Sequence, residues 1–505
     1  MQPTGYPRTE HSYDAGASTP FPELPDIQGV ERVEAPVDSR LDAVYFDTET
    51  LALATRRITL RRRTGGIDHG WQLSIPHGSA QGQELNAPLG QPDAVPRELL
   101  THVLAYTRGE DLLPIARLGT LRSTCRLYGP GGEHLADFAD DRIHAESTHP
   151  PGPGMEWREW KLMLVHGGTD LLVAAEETLT ATGAVRSSPG SELARALGGA
   201  YPTERSTGTG RPRKKGPAFD VVAAYLDVQI GELLSEDPCV RLGEPESIHQ
   251  MRSATRRIRS VLSTYASLLT AMEVRRLGDE LKWLTRMLGR PRDVEVMRER
   301  LRRHIGELPK PLRAGPVSEP IERELGTAYN VDYRELLKAL ESDRYYRLLD
   351  DLEQFRDHPP TKARASKPAH KEAAGLVNKT AKRLDRSHKA AVRAKAGGTR
   401  DTALHQVRKD AKRLRHAAES VTEIHGKRAR KISRKTHRLQ SILGDHQDSV
   451  MVRAFLDELV SEPGLPEGTV RAYRRVQRIE KDIARTAVKK YSKARKKSSG
   501  LRLHR

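Results

Sequence analysis

Two eleven-residue segments set histidine, arginine and lysine at the same spacings. His249-Gln-Met-Arg-Ser-Ala-Thr-Arg-Arg-Ile-Arg259 returns 156 residues later as His405-Gln-Val-Arg-Lys-Asp-Ala-Lys-Arg-Leu-Arg415. On a helix of 3.6 residues per turn, His249, Arg252, Arg256 and Arg259 share one face. His405, Arg408, Lys412 and Arg415 share the equivalent face, with Arg257, Lys409 and Arg413 on the flanks. No carboxylate stands in either stripe. Like charges at these spacings oppose helix formation by a few tenths of a kcal/mol per pair. A ligand with closely spaced negative charges would relieve that repulsion, so the chemistry to which the residues point is the binding of a long polyanion.

The elements that must hold these stripes are legible beside them. Ile248, Met251, Thr255, Ile258 and Leu262 recur at intervals of three and four, as do Leu404, Val407, Ala411, Leu414 and Ala418. Each set is the buried face of an amphipathic helix, with the cationic stripe one residue further round. Leu288-Gly289-Arg-Pro-Arg-Asp293 follows the first copy, and Leu443-Gly444-Asp-His-Gln-Asp448 follows the second, 155 residues on. Leu-Gly followed by Asp reads as a helix end and the next N-cap. Lys282 and Arg286, one turn apart, extend the first cationic set, and His437 is the counterpart of Lys282. A repeat of this length is longer than a solenoid unit and implies duplication of a whole helical bundle.

Along the 505 residues, 1–30 are rich in Pro, Gly and Ser and are expected to be poorly ordered. Residues 31–200 read as one sheet domain, strand-like from about 41 to 165 and most clearly at Leu41–Asp47, Arg57–Arg63, Gly70–Pro76 and Met155–Val165, with short helices at Pro96–Tyr106, Thr169–Thr180 and Pro189–Leu197. Residues 201–217 read as a linker. From 218 to 500 the pattern is helical almost throughout, broken by Pro-containing connectors near 309–320 and 357–370 and by Gly397-Gly398, with a seam at 357–374 midway between the repeats and a long basic helix at Val470–Lys497. The fold class expected is α+β in two domains: an antiparallel sheet domain, then an all-α pair of pseudo-symmetric bundles.

Net charge is +18, but unevenly spread. Residues 1–212 hold 20 Lys/Arg against 28 Asp/Glu, and residues 213–505 hold 65 against 39. An anionic partner is therefore expected for the C-terminal part alone. No apolar run reaches the length of a membrane span, the start of the chain lacks the pattern of a secretory signal, and the two cysteines have no metal-type spacing. The expectation is a cytoplasmic protein, and the Arg- and Ala-rich usage suggests a GC-rich bacterial genome.

The paired His-Gln-x-Arg-x-x-x-(Arg/Lys)-Arg-x-Arg segments, each followed by Leu-Gly-x-x-x-Asp, resemble the CHAD domain (conserved histidine α-helical domain) over roughly 215–500. The resemblance implies two antiparallel bundles with a basic central surface, binding of inorganic polyphosphate and association with polyphosphate granules. On the matching positions, His249, Arg252, Arg256, Arg259, His405, Arg408, Lys412 and Arg415 would contact phosphates.

Leu41-Asp-Ala-Val-Tyr-Phe-Asp-Thr48, Leu60-Arg-Arg-Arg-Thr-Gly-Gly66 and Gly70-Trp-Gln-Leu73 resemble the CYTH domain, or triphosphate tunnel fold, with Ser191–Leu197 as its closing helix. That family implies a β-tunnel that hydrolyses a triphosphate with divalent metal, Mg²⁺ or Mn²⁺. Here the pattern departs where the chemistry is done. Arg8-Thr-Glu10-His-Ser12 keeps one acid of an expected Glu-x-Glu-x-Lys. Trp157-Arg-Glu159-Trp-Lys161-Leu-Met163 keeps one glutamate, Ser74 stands for a lysine, and Glu192 replaces the lysine of the closing helix. Glu10, Asp137, Asp141 and Glu159 are the acids left for a metal, and Arg61 and Arg63 are left to hold an anion. The reading is a tunnel that has lost its metal cluster, with no catalytic residue and no cofactor. Two alternatives stand beside polyphosphate binding: a metal-dependent triphosphatase or polyphosphatase in the N-terminal domain, and weak nucleic-acid binding by the basic surface.

Overall fold

A computed structural model describes residues 9–66, 69–77, 80–91, 94–149, 151–187, 192–202, 211–313, 315–395, 397–461, 463–496 and 501–503. The chain divides into two compact units, residues 1–206 and 207–505.

In the N-terminal unit ten strands form one antiparallel sheet. They are β1 (Glu10–Ala15), β2 (Arg32–Val33), β3 (Val37–Asp47), β4 (Thr59–Thr64), β5 (Gly70–His77), β6 (Ala80–Ala87), β7 (Leu113–Tyr128), β8 (His134–Ser147), β9 (Met155–Leu164) and β10 (Val185–Arg186). Their order is β10-β1-β9-β8-β7-β3-β4-β5-β6, with β2 also on β7. Among the described residues of the unit are three α-helices, α1 (Arg97–Thr107), α2 (Thr169–Ala181) and α3 (Glu192–Leu197).

Segregation of side chains by strand alternation gives the sheet two differently built faces. On one, α2 packs on Tyr13, Leu127, Phe138, Trp160 and Leu162, and α1 packs on Phe46, Leu60, Trp71 and Leu73. On the other, Leu193, Ala196 and Leu197 of α3 cover Ala43, Tyr45, Leu118, Ile143 and Ala145. Arg61 of β4 and Lys161 of β9 both reach Glu192 of α3. Four strand spacings of ~4.8 Å separate β4 from β9, ~19 Å on a flat sheet, so the sheet must curl strongly over α3.

The expected disorder of residues 1–30 does not hold for 9–30. Residues 10–15 pair with β9 along their whole length, and Tyr13, Leu24 and Ile27 are buried. The Pro, Gly and Ser content reflects turns, and the ordering comes from a partner strand some 150 residues away. Residues 203–210 of the expected linker lie outside the described residues; α4 begins at Ala218.

The C-terminal unit is helical: α4 (Ala218–Arg241), α5 (Ser247–Tyr265), α6 (Ala271–Gly306), α7 (Lys310–Arg313), α8 (Ser318–Leu340), α9 (Asp343–Asp357), α10 (Ala369–Arg393), α11 (Gly398–Ser420), α12 (Thr422–Ser461) and α13 (Glu467–Lys496). α4, α5, α6 and α8 pack in succession, and α10 to α13 repeat that succession. The two apolar stripes are the reason. Ile248, Met251, Thr255, Ile258 and Leu262 are all buried, as are Leu404, Val407, Ala411, Leu414 and Ala418. α5 of the first repeat packs on α11 of the second, where Tyr265 and Ser420 share a hydrogen bond of 2.8 Å. A second shared core, with Leu301, Ile305, Ile321, Leu456, Tyr473 and Val476, joins α6 and α8 to α12 and α13.

A second expectation is overturned. Neither Leu-Gly-x-x-x-Asp ends a helix: Gly289, Pro291 and Asp293 lie inside the 36-residue α6, and Gly444 and Asp448 inside α12. Both glycines lie beside a guanidinium from the neighbouring helix, as described next.

Candidate anion-binding site

α5 and α11 lie side by side, so their cationic stripes converge on one cavity of about 640 Å³, with α6 and α12 as its other walls. Of the predicted residues, His249, Arg252, Arg256, Arg257, His405, Arg408, Lys409, Lys412, Arg415 and His437 line it. Arg259, Lys282, Arg286 and Arg413 do not. Arg413 is drawn to Asp410, 3.3 Å away. Lys282 and Arg286 share a helix face with Gly289 and Asp293 but lie seven residues earlier, ~10 Å back along the axis, and both are exposed.

The cavity also takes residues that the stripes did not reveal: Arg292, Asp293 and Arg300 from α6, His416 from α11, and Gln440, Gln447 and Asp448 from α12. Arg292, Asp293 and Asp448 belong to the segments read as helix ends, so the signal was present but assigned to the wrong structure. A Cβ added to Gly289 would lie 3.5 Å from Cζ of Arg252, and one on Gly444 3.8 Å from Nε of Arg408. These are ordinary contact distances, so each arginine lies against the next helix at its glycine, with room for a methyl but not for a larger side chain. Arg252 Nη1 then donates to Asp293 Oδ1 at 2.7 Å. At the equivalent place in the second repeat, Asp448 feels the charge of Arg408.

Some cavity cations are matched within the protein. Arg257 meets Glu232 at 2.9 Å, Arg415 meets Glu419 at 2.7 Å, and Arg292 meets Glu246 at 3.0 Å. Others are not. Among the described residues, Arg256, Arg408, Lys409 and Lys412, and Arg259 at the end of the first stripe, have no hydrogen-bond acceptor and no ion pair. The Nε donors of Arg252, Arg292 and Arg408 are buried without an acceptor. Such orphaned donors are costly to desolvate.

The electrostatics follow from this crowding. Arg256 is brought down to about 9, first by burial and then by Arg252, Arg408 and Arg259, so it remains charged at neutral pH. Lys412 is pushed well below the usual lysine range by burial and then by Arg256, Arg408, Arg252 and Arg415. Burial and neighbouring cations lower His249 and His405, while Gln447 raises His405 in part through a 2.9 Å hydrogen bond. Charges from each repeat therefore act on the other.

The interior of the N-terminal unit is arranged differently. Arg61 donates to Gln72 at 2.9 Å and to Tyr45 at 3.1 Å, and lies 3.5 Å from Glu192. Arg63 has no acceptor among the described residues, and burial and then Arg61 lower its pKa. Arg122 grips both oxygens of Asp141 at 2.7 Å. The acids considered for a metal do not form a ligand set. Glu10 is exposed, Asp137 is taken by His134 at 2.8 Å, and the Lys161 ammonium lies between Glu192, Glu159 and Asp141. No group of three His, Cys, Asp or Glu suited to a metal ion occurs among the described residues. The residues present do not fit Mg²⁺ or Mn²⁺.

The CHAD domain family matches residues 224–457, which include both stripes and the cavity. An uncharacterized protein of Mycobacterium tuberculosis is 38% identical over 475 residues, covering 90% of this chain and 89% of its own, in strains CDC 1551 and H37Rv alike. Among solved structures, the CHAD domain from the plant Ricinus communis is 21% identical, covering 56% of this chain and 94% of its own with a TM-score of 0.43. A candidate adenylate cyclase from Bacillus halodurans is 17% identical, covering 37% and 96% with a TM-score of 0.27. With its doubled cationic helix and its matched span, the chain carries a CHAD domain at residues 224–457, with an antiparallel sheet unit ahead of it.

Proposed function

We propose that this protein binds inorganic polyphosphate in the cavity between its two helical repeats and through it associates with polyphosphate granules, while the N-terminal unit carries out no metal-dependent hydrolysis. The observation that carries this reading is the set of cavity cations without acceptors, Arg256, Arg408, Lys409 and Lys412, beside the orphaned Nε donors of Arg252, Arg292 and Arg408. Their arrangement favours a ligand with many closely spaced oxygens, because guanidinium groups pair with phosphate oxygens through charge-assisted hydrogen bonds. Among the described residues no Phe, Tyr or Trp side chain lines the cavity to stack a base. That chemistry favours a phosphate polymer over a nucleic acid. Titration of the full chain with long-chain polyphosphate at ~150 mM salt, with duplex DNA of equal charge as competitor, tests the reading. Tight polyphosphate binding that DNA fails to displace is the expected result. Equal competition by DNA would make the cavity a general polyanion surface.

A further inference from the structure

Three carboxylates converge on one ammonium inside the N-terminal unit. Lys161 Nζ lies 2.7 Å from Glu192 Oε1, 3.5 Å from Glu159 Oε2 and 3.7 Å from Asp141 Oδ2. The acids come from α3, β9 and β8. The side chains of Lys161, Glu159 and Asp141 are only 13%, 11% and 1% exposed. Carboxylates gathered away from water need a counter-cation, since each is costly to desolvate alone. Here that cation is covalently part of the chain.

The rest of the network fixes this choice. Tyr45 donates to the other oxygen of Glu192 at 3.0 Å, and Arg61 approaches it at 3.5 Å. Arg122 occupies both oxygens of Asp141. Burial works against the charges of Lys161 and Glu192. Their mutual attraction outweighs it, holding Lys161 above the ordinary lysine range and Glu192 near about 2. A divalent ion entering this space would meet a resident positive charge and carboxylate oxygens already taken.

We propose that Lys161 stands as a resident cation where a divalent ion would otherwise lie among Asp141, Glu159 and Glu192, and that the direction of the single Lys161–Glu192 ion pair keeps the N-terminal interior free of metal. Reversal of that pair preserves the net charge and moves the lysine to α3. Two glutamates would then alternate on β9 opposite Asp141, the oxygen-rich setting that Mg²⁺ or Mn²⁺ takes. The inference rests on the reading of this unit as free of metal chemistry.

The test titrates Mn²⁺ into the full chain, followed by electron paramagnetic resonance, with thermal melting in Mg²⁺ as a second readout. The wild type should bind no Mn²⁺ and melt at the same temperature with or without Mg²⁺. The Lys161→Glu/Glu192→Lys double variant should bind about one Mn²⁺ per chain and gain melting temperature in Mg²⁺, because a ligand of the folded state alone stabilises it. Mn²⁺ bound by the wild type and lost in Glu159→Gln would overturn this inference and the non-hydrolytic reading together. A folded double variant without Mn²⁺ would overturn the inference alone. Should the double variant not fold, Lys161→Met takes its place under the same criteria.

Discussion

Ser260 and His416 meet across the centre of the CHAD domain, His416 Nδ1 lying 3.0 Å from Ser260 Oγ. The two residues are 156 positions apart, the offset that relates the cationic stripes, so equivalent places in the two repeats touch each other. The pseudo-two-fold axis therefore runs between α5 and α11 at this contact. One helical turn away on α11, Lys412 faces into the cavity, as does its counterpart Arg256 on α5. The same contact that joins the repeats brings their positive charges together.

Arg256→Ala combined with Lys412→Ala removes the two innermost unpaired charges. A charge-assisted hydrogen bond contributes ~1.5–3 kcal/mol, so the double variant should lose at least ~10-fold in polyphosphate affinity. The slope of log K against log salt should fall by roughly 1.5. Folding should be intact or improved, because two like charges leave a crowded site. Titrations at several salt concentrations beside thermal melts measure both effects.

Polyphosphate binding should take up protons. In the free cavity His249, His405 and Lys412 are all held below their ordinary values by burial and by neighbouring cations. An anion among them favours their charged forms. Affinity should therefore rise as pH falls from 8 towards 6, and calorimetry in two buffers of different ionisation enthalpy should register proton uptake. Lys412→Arg, which cannot lose its proton, should reduce that uptake while retaining binding.

The glycines beside the arginines can be tested by size. Gly289→Ala puts a methyl at ordinary contact distance from Arg252, so binding should be unchanged and the helix stabilised by ~0.5–1 kcal/mol. Gly289→Leu needs the volume that the guanidinium occupies and should displace Arg252, weakening polyphosphate binding. Equal affinities for the Ala and Leu variants would show that Arg252 does not need this place.

Glu480 is fully buried and accepts from Arg300 at 2.6 and 2.7 Å and pairs with His304 at 2.8 Å. It ties α13 to α6 directly behind the cavity. Glu480→Ala leaves Arg300 buried without its main partner, a loss of ~3–5 kcal/mol in comparable pairs. A fall of that size in the stability obtained from denaturant midpoints is the expected result.

His388 links α10 to α13 through Tyr491, 2.8 Å away. Burial lowers its pKa from 6.5 to about 4. Between those values the unfolded chain holds a proton that the folded chain does not. Stability is therefore full above pH 6.5 and declines as the pH falls to about 4, by ~3 kcal/mol at most from this group. His388→Gln should flatten that part of the stability–pH curve.

Much of the CHAD domain was legible in the chain because the information is local. The spacing of Ile248, Met251, Ile258 and their counterparts defines a helix face, and the cations one position on follow from the turn angle alone. Repetition at a constant offset showed that two such helices exist. The sheet strands β3, β4, β5 and β9 were likewise marked by alternation and turns. The order of residues 10–15, by contrast, depends on pairing with β9, which no local pattern announces. Pro291 and two glycines resembled helix stops, since a breaker residue and a packing residue look alike until the neighbouring helix is placed. Lys161 and Glu192 read as two separate losses, and only the curl of the sheet makes them one ion pair. Composition and periodicity determined which residues are buried or charged, because those depend on each residue and its near neighbours. Which charges remain without partners was decided by tertiary packing, because a charge is satisfied or left open by groups far away in the chain.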